Sequence, residues 1–169
     1  MNKVMMSSDM TIRPGHEGDV ARVMEIFDGA RAYMRACGNS TQWTGGYPSA
    51  QTVRGDIAAG NLFVAEVEGK IVGCCTLVVG PDPYYAEIDG RWLDDEPYGT
   101  IHRLASSGDV RGIADVFIDF CASRIGNLRI DTHADNLPMQ RAIRRNRFSY
   151  CGVVRVADGS PRRAYQRTL

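Results

Sequence analysis

A glycine-containing junction between a predicted strand and a predicted helix is the strongest candidate for a ligand site in this chain. Residues 101–105 are apolar-rich, and Gly108 and Gly112 follow before a segment with helical periodicity begins. The first turn of a helix has backbone N–H groups without partners and a partial positive charge. Arg111 adds a full charge, so a phosphate or pyrophosphate is the expected guest. The alternative is an ordinary glycine turn before a helix.

Two titratable side chains are candidates for moving protons. His102 lies on the predicted strand just before the junction, and the ordinary pKa of an imidazole suits a general base at neutral pH. The alternative for His102 is a histidine that is hydrogen-bonded inside the sheet or at its rim. Tyr150, at the start of a later strand, could donate a proton to a leaving group. Its alternative is an aromatic side chain that only packs.

Aromatic side chains in two loops indicate a pocket for a second ligand. Trp43 and Tyr47 lie among turn-forming residues 38–49, and Tyr84 begins a segment without clear period, residues 84–98. Such aromatics line a substrate pocket, or, for Trp43, plug the core from outside. The second segment is also acidic, which favours a cationic substrate or, equally, a solvated loop. Its acidic residues include Glu87, Asp89, Asp94, Asp95 and Glu96.

Length and charge restrict the classes of function. At 169 residues the chain is predicted to form one domain, residues 1–169. The formal net charge is zero, so neither nucleic acid nor an anionic membrane is indicated as a partner. Residues 1–10 contain no continuous apolar segment, and no later run is long enough to cross a bilayer, which predicts a cytoplasmic protein. The five cysteines form no C-x-x-C motif, so buried thiols are expected and no metal site is predicted.

The order of predicted elements indicates an α/β or α+β fold. The pattern gives about seven strands and about four helices, with a hairpin at Glu68 and Gly69 and two strand–helix–strand crossovers. A single mixed, mostly antiparallel sheet flanked by the helices is expected. The predicted strands are 10–14, 61–67, 70–79, 101–105, 127–132, 149–156 and 163–168. The helices begin near residues 19, 51, 112 and 138.

This order of elements resembles the GNAT superfamily of acetyl-CoA-dependent N-acetyltransferases over nearly the whole chain. The family binds coenzyme A at a loop with the pattern Q/R-x-x-G-x-G/A, and Asp109 to Ala114 occupies that place. Gly112 and Ala114 match the pattern, whereas Asp109 stands where the family has glutamine or arginine. Asn136-Leu137-Pro138-Met139 resembles the family's N-x-x-A motif. Segments such as QWTGGYPS and RIDTHADNLPMQ are similar to an uncharacterised bacterial subgroup.

The resemblance implies acetyl-CoA as co-substrate and a set of residues that bind it. The family's fourth and fifth strands part to admit the pantetheine arm, which assigns the backbone of Leu104 and Ala105 to the thioester. Asn136 is assigned to the neighbourhood of the pantetheine. The pyrophosphate would be held by Arg111, Gly112, Ile113 and Ala114.

The implied activity is direct transfer of an acetyl group to a primary amine of a small molecule or peptide. His102 and Tyr150 are the candidate base and acid, and Trp43, Tyr47 and Tyr84 the candidate acceptor pocket. Many members protonate the leaving thiolate with a tyrosine seven residues after the motif asparagine, but Ile143 occupies that position here. A non-catalytic acyl-CoA binding or sensing module is therefore the alternative. The resemblance also leaves a homodimer open.

Overall fold

One mixed β-sheet organises the chain. The structure is a computed structural model that describes residues 9–168, so the prediction made from residues 1–10 falls almost wholly outside it. Eight strands of the described chain join in the order β1-β2-β3-β5-β6-β8-β7-β4. They are β1 (Thr11–Pro14), β2 (Leu62–Val67), β3 (Lys70–Val79), β4 (Asp89–Gly90), β5 (Gly99–Ser106), β6 (Leu128–Thr132), β7 (Ser149–Arg155) and β8 (Pro161–Arg167).

The sheet confirms the predicted α+β class and adds one short strand. All neighbouring strands are antiparallel except β5 and β6, which run parallel. Strand β4 lies inside the acidic segment that showed no period, and it pairs with β7 over two residues. A strand this short has no alternation to detect, which is why the sequence predicted only a loop there.

Four helices cover the two faces of the sheet. They are α1 (Val20–Ala36), α2 (Ala50–Ala58), α3 (Ile113–Arg124) and α4 (Leu137–Arg145). Helices α1 and α2 bury Val23, Phe27 and Val53 in one core. Helices α3 and α4 contribute to the other core, where Phe117 and Ile143 are fully buried. None of the helices between residues 9 and 168 is both long and apolar enough to cross a membrane.

Helix α1 begins where the sequence predicts it, next to Asp19. Asp19 occupies the N-cap position, but its carboxylate does not cap the helix. It accepts hydrogen bonds from both terminal nitrogens of Arg13, at 2.8 and 2.9 Å, and from the His16 amide. Arg13 also donates to Glu66 on β2. The carboxylate therefore ties the first strand to the helix that follows it.

Replacing Asp19 with asparagine is expected to lower the free energy of unfolding by about 2 kcal/mol at pH 7, because the partly buried Arg13 loses its bidentate partner and keeps only Glu66. Hydrogen bonds from Arg13 lower the pKa of Asp19, although burial raises it. A carboxyl group whose pKa is lowered by folding stabilises the folded state at pH values above its unfolded pKa of about 4. This stabilisation is lost as the pH falls through the folded pKa. The difference between wild type and variant should therefore shrink below about pH 4. Urea unfolding across pH measures this, with Asp119→Asn on the exposed face of α3 as the control.

The five cysteines differ in exposure, which corrects the expectation that all are buried. Cys37 is exposed after α1, whereas Cys74, Cys75, Cys121 and Cys151 are buried. Burial also raises the pKa of the Cys74 thiol to about 12. Because the thiolate is the reactive form, the native protein should take up one equivalent of iodoacetamide rapidly, at Cys37. Peptide mass spectrometry checks this, and rapid labelling of Cys74 without denaturant would contradict the buried assignment.

Candidate active site

A cleft opens where the two parallel strands separate. Strands β5 and β6 pair only at Gly99 with Leu128 and at Thr100 with Arg129, and beyond these two pairs they diverge. The cavity has a volume of about 610 Å³ and is lined by residues of both strands, including Ile101 and Leu104 from β5 and Ile130 from β6. The divergence exposes backbone that a continuous ladder would have paired.

A bulge in β5 determines which backbone groups face this opening. The register of β3 against β5 shifts between Cys74 and Thr76, and Arg103 opposite has a left-handed φ of 50°. Beyond the bulge, the Ser107 amide donates to the Val72 carbonyl on β3. Alternate residues of a strand direct their amides the same way, so the amide of Ala105 faces β3 and that of Leu104 faces the opening.

The two predicted thioester positions are therefore not equivalent. Leu104 lines the cleft, whereas Ala105 is aligned with Cys74 and packs into the core beneath α1 and α2. A backbone donor is useful only where its N–H is free to meet a developing negative charge. The geometry supports Leu104 as that donor, and it assigns Ala105 to the β3–β5 ladder.

His102 lies in the cleft and is held by a carboxylate that the sequence did not single out. Its Nε2 is 3.0 Å from Oδ2 of Asp82, and both side chains are largely buried. Asp82 is fixed in turn, because its Oδ1 accepts a hydrogen bond from the Tyr84 amide and its own amide donates to the Tyr98 hydroxyl. In the tautomer that donates from Nε2, the Nδ1 lone pair of His102 is left to accept a proton.

The pKa values of the two carboxyl groups near His102 are shifted in opposite directions. Burial alone raises the pKa of Asp82, but the hydrogen bonds from His102 and the Tyr84 amide outweigh it, so the net pKa is lowered. Asp131, on β6, accepts a 2.6 Å hydrogen bond from the Tyr85 hydroxyl. Burial raises the pKa of Asp131 despite that bond. Asp82 is therefore the stable anion that accompanies His102 at neutral pH.

Arg103 connects the bulge to helix α2 and to the aromatic wall of the cleft. Its Nε and Nη2 each donate at 2.7 Å to the carboxylate of Asp56, which also accepts from the Thr76 hydroxyl. Its Nη1 donates to the Tyr47 hydroxyl at 2.9 Å. The position of Tyr47 over the cleft thus depends on a largely buried bidentate ion pair.

The other two predicted pocket aromatics also line the cleft. Trp43 packs edge-on against Phe27, with ring centroids 5.3 Å apart, so it covers the core beneath α1 and forms a cleft wall at once. Tyr84 is 49% exposed at the mouth. The two alternatives for Trp43 are therefore not exclusive.

The predicted anion site forms a left-handed turn that leads into α3. Gly112 occupies the N-cap position with φ 79°, and a Cβ built there would contact nothing within 4 Å. The amides of Ile113 and Ala114 belong to the first helical turn, which has no internal acceptors. Arg111 is exposed, and Asp109 lies 3.8 Å from Arg22 of α1. The turn therefore has room and donors for an anion, and its acidic residue is drawn toward α1.

Asn136 caps α4 at the edge of the cleft. Its Oδ1 accepts from the Met139 amide at 3.2 Å, and its Nδ2 donates to Oε1 of Gln42 at 3.0 Å. The side chain is 7% exposed and still lines the cavity. Its structural role is to join α4 to the loop after α1, while its contact with a pantetheine stays a prediction.

Tyr150 is not brought together with His102. Its ring packs edge-on against Tyr165, its side chain is 55% exposed, and it is not among the described residues that line the cleft. Nor is the acidic segment the source of the cleft carboxylates. Its Asp94 accepts hydrogen bonds from Asn127 and Gln166, which fixes the segment against the sheet.

Sequence reasoning missed five charged residues of the cleft wall: Asp82, Arg103, Asp131, Asp158 and Arg162. Arg103 and Asp131 interrupt apolar strand patterns, which is a signal that could have found them. Asp82, Asp158 and Arg162 lie in or next to segments rich in Gly, Pro and Ser, where charged residues are common and give no such signal. Within residues 9–168 no three His, Cys, Asp or Glu side chains are grouped as metal ligands would be.

Comparison with known proteins assigns the fold and family. No protein-family model matches the sequence, and no curated protein matches it. Among solved structures, a GNAT-family acetyltransferase from Streptococcus agalactiae is 30% identical, with 99% of each chain covered and a TM-score of 0.88.

Two more distant structures share the fold. An aminoglycoside acetyltransferase in complex with coenzyme A and kanamycin is 19% identical, with 94% of each chain covered and a TM-score of 0.63. A ribosomal-protein-alanine N-acetyltransferase from Brucella melitensis is 20% identical, covers 94% of this chain and 99% of its own, and has a TM-score of 0.59. From the identity and coverage of the streptococcal structure, the chain belongs to the GNAT family of acetyltransferases.

Proposed function

We propose that this protein transfers an acetyl group from acetyl-CoA directly to a primary amine of a small molecule or peptide. The observation that carries the proposal is the cleft between β5 and β6, where the free amide of Leu104 and the His102–Asp82 pair occupy the same cavity. Family membership supplies the acetyl chemistry. Solved relatives of the same fold were crystallised with coenzyme A and with acetyl-CoA.

The described residues fit acetyl-CoA as the donor. Strands β5 and β6 are parallel, so their separated carboxyl ends lie at the same edge of the sheet, and α3 and α4 begin just beyond that edge. The turn at Gly112 offers first-turn amides to a pyrophosphate, with Arg111 beside them. The separated strands leave a slot in which a thioester could reach the Leu104 amide. Bound there, acetyl-CoA supplies an activated acyl group.

His102 is assigned to deprotonate the acceptor. A primary alkyl ammonium has a pKa near ~10.4, so the free amine is scarce at neutral pH and a base must take its proton. His102 would accept that proton at Nδ1, while Asp82 orients the ring and stabilises the positive charge that it gains. The Leu104 amide would donate to the thioester oxygen as negative charge develops on it.

One observation favours the alternative of a non-catalytic acyl-CoA binding or sensing module. Ile143 stands where many members have a tyrosine, and its side chain is fully buried in the core. It has no proton to give to a leaving thiolate. A sensor would bind acetyl-CoA without amine-dependent turnover.

Thermal denaturation with acetyl-CoA, CoA, ATP and NAD tests the cofactor part of the proposal. A ligand that binds only the folded state raises the Tm by mass action. We expect acetyl-CoA and CoA to raise the Tm and ATP and NAD to have a much smaller effect. The absence of a response to both CoA forms would refute the proposal.

Replacing Asp82 with asparagine is expected to lower kcat by about 10- to 100-fold, because His102 loses the charge that orients it and stabilises its protonated form. The KM for acetyl-CoA should change by less than about threefold, since Asp82 is proposed to act only through His102. Steady-state kinetics separates the two constants, with Asp119→Asn on exposed α3 as a charge-matched control. If kcat fell and the KM for acetyl-CoA rose to a similar extent, Asp82 would only maintain the fold of the site.

A further inference from the structure

Arg162 is a buried cation in the cleft wall that forms no direct ion pair within the part of the chain that the structure describes. Its side chain lies on β8 and the residue is only 8% exposed. Nη1 donates to the Ser160 hydroxyl at 2.9 Å and to the Pro161 carbonyl at 3.1 Å, and both acceptors are neutral. Within residues 9–168 no carboxylate forms an ion pair with it. A guanidinium has five N–H donors, so Nε and Nη2 retain hydrogen-bonding capacity toward the cavity.

Arg162 lies on the same face of the sheet as the proposed acceptor machinery. Asp131 on β6 is paired with Ala164 on β8, and Arg162 is two residues from Ala164, so all three side chains share a face. Ala164 packs against Tyr85, whose hydroxyl binds Asp131. Asp82, which is hydrogen-bonded to His102, shortly precedes Tyr85 in the chain.

The electrostatics place these groups in one neighbourhood. Burial is the largest influence on the pKa of Asp131 and raises it, while the charges of His102 and Arg162 lower it. Asp131 therefore lies within electrostatic range of both side chains. Asp158, which also lines the cleft, is fully exposed and binds Ser160 instead of the guanidinium. The two acids offset the charge of Arg162 at a distance and leave its donors free.

We propose that the acceptor amine also carries a carboxylate, and that Arg162 binds this carboxylate while the amine lies at His102. The inference rests on the proposed transferase function. A guanidinium is costly to bury when no carboxylate binds it directly, and its planar fork matches a carboxylate in bidentate geometry. The acidic wall formed by Asp82 and Asp131 suits the ammonium end of the same molecule. The preferred acceptor class is thus amino acids and related amino-carboxylates, in preference to simple amines or polyamines.

Matched pairs of amines that differ only by the carboxylate test the inference. Tyrosine is compared with tyramine, lysine with cadaverine, and 4-aminobutyrate with propylamine, with CoA release giving kcat/KM for each. The best substrate should be a carboxylated member, and its kcat/KM should exceed that of its partner. In Arg162→Gln this preference should fall by about 10- to 100-fold, mainly through the KM of the carboxylated member.

Arg163→Gln is the control, because the neighbouring side chain of β8 lies on the opposite face and should leave the preference unchanged. Equal kcat/KM within every pair, a preference for the decarboxylated members, or an unaltered preference in Arg162→Gln would overturn the inference. The Tm shift that each amine causes in the presence of CoA is measured in parallel. If no amine is turned over, the transferase proposal fails, and the carboxylate subsite is then decided by whether Arg162→Gln abolishes a Tm shift specific to the carboxylated members.

Discussion

His102→Gln is expected to lower kcat for amine acetylation by about 10²- to 10⁴-fold, the range that a positioned general base contributes. Glutamine keeps a side-chain donor toward Asp82, so the local hydrogen bond survives while the proton-accepting nitrogen is lost. Steady-state kinetics with saturating acetyl-CoA measures the effect. The KM for acetyl-CoA should change little, because His102 is assigned to the amine.

His133→Gln is the matched control for this variant. His133 lies at the end of β6, where its Nε2 bonds the Thr41 hydroxyl and its Nδ1 accepts from the Asp135 amide. It is not among the described residues that line the cleft, so its replacement should leave kcat within about threefold of wild type. If His102→Gln retained full kcat with a normal pH profile, another group or a water chain would have to be the base.

Gly112→Asp is expected to weaken acetyl-CoA binding by at least about tenfold. The substitution places a negative charge at the helix N-terminus that is assigned to the pyrophosphate, and it fills space that is now open in front of the turn. It also forces an L-residue into a φ of 79°, which costs stability on its own. Isothermal titration calorimetry of folded protein isolates the binding effect.

The control is Gly60→Asp, which has the same chemistry and nearly the same backbone strain. Gly60 follows α2 with φ 73° and open space around it, and it has no assigned part in ligand binding. It should lose stability without losing affinity for acetyl-CoA. Unchanged affinity in Gly112→Asp would place the pyrophosphate elsewhere.

The local elements were predictable because local periodicity encodes them. The β2–β3 hairpin at Glu68 and Gly69 and the helix that begins after Gly112 appear in the structure as the pattern predicts. Strand β4 was missed, since it exists only through its pairing with Gly152 and Val153 on β7. Pairing between distant segments leaves no periodic trace in so short a stretch.

The candidate site was predicted less completely than the fold, because some of its residues stand in recognisable local settings and others depend on contacts between distant segments. His102 and Gly112 stand in recognisable local settings, a strand and a turn before a helix. The partner of His102, Asp82, is 20 residues away in the chain, and Arg162 is distant from every other cleft charge except Asp158. Such contacts depend on strand order, which residue spacing does not specify. The bulge at Arg103 likewise determines whether the amide of Leu104 or that of Ala105 faces the cleft. Only the pairing register of β3 and β5 shows this.

The most direct test of the proposed transferase activity is the rate of CoA release measured with acetyl-CoA in the presence and absence of a panel of primary amines, with the acetylated amine identified by mass spectrometry. We expect release that depends on an amine, saturates with it and matches the acetylated product mole for mole. Acetyl-CoA binding without amine-dependent release for any amine would contradict a transferase and indicate a sensing module.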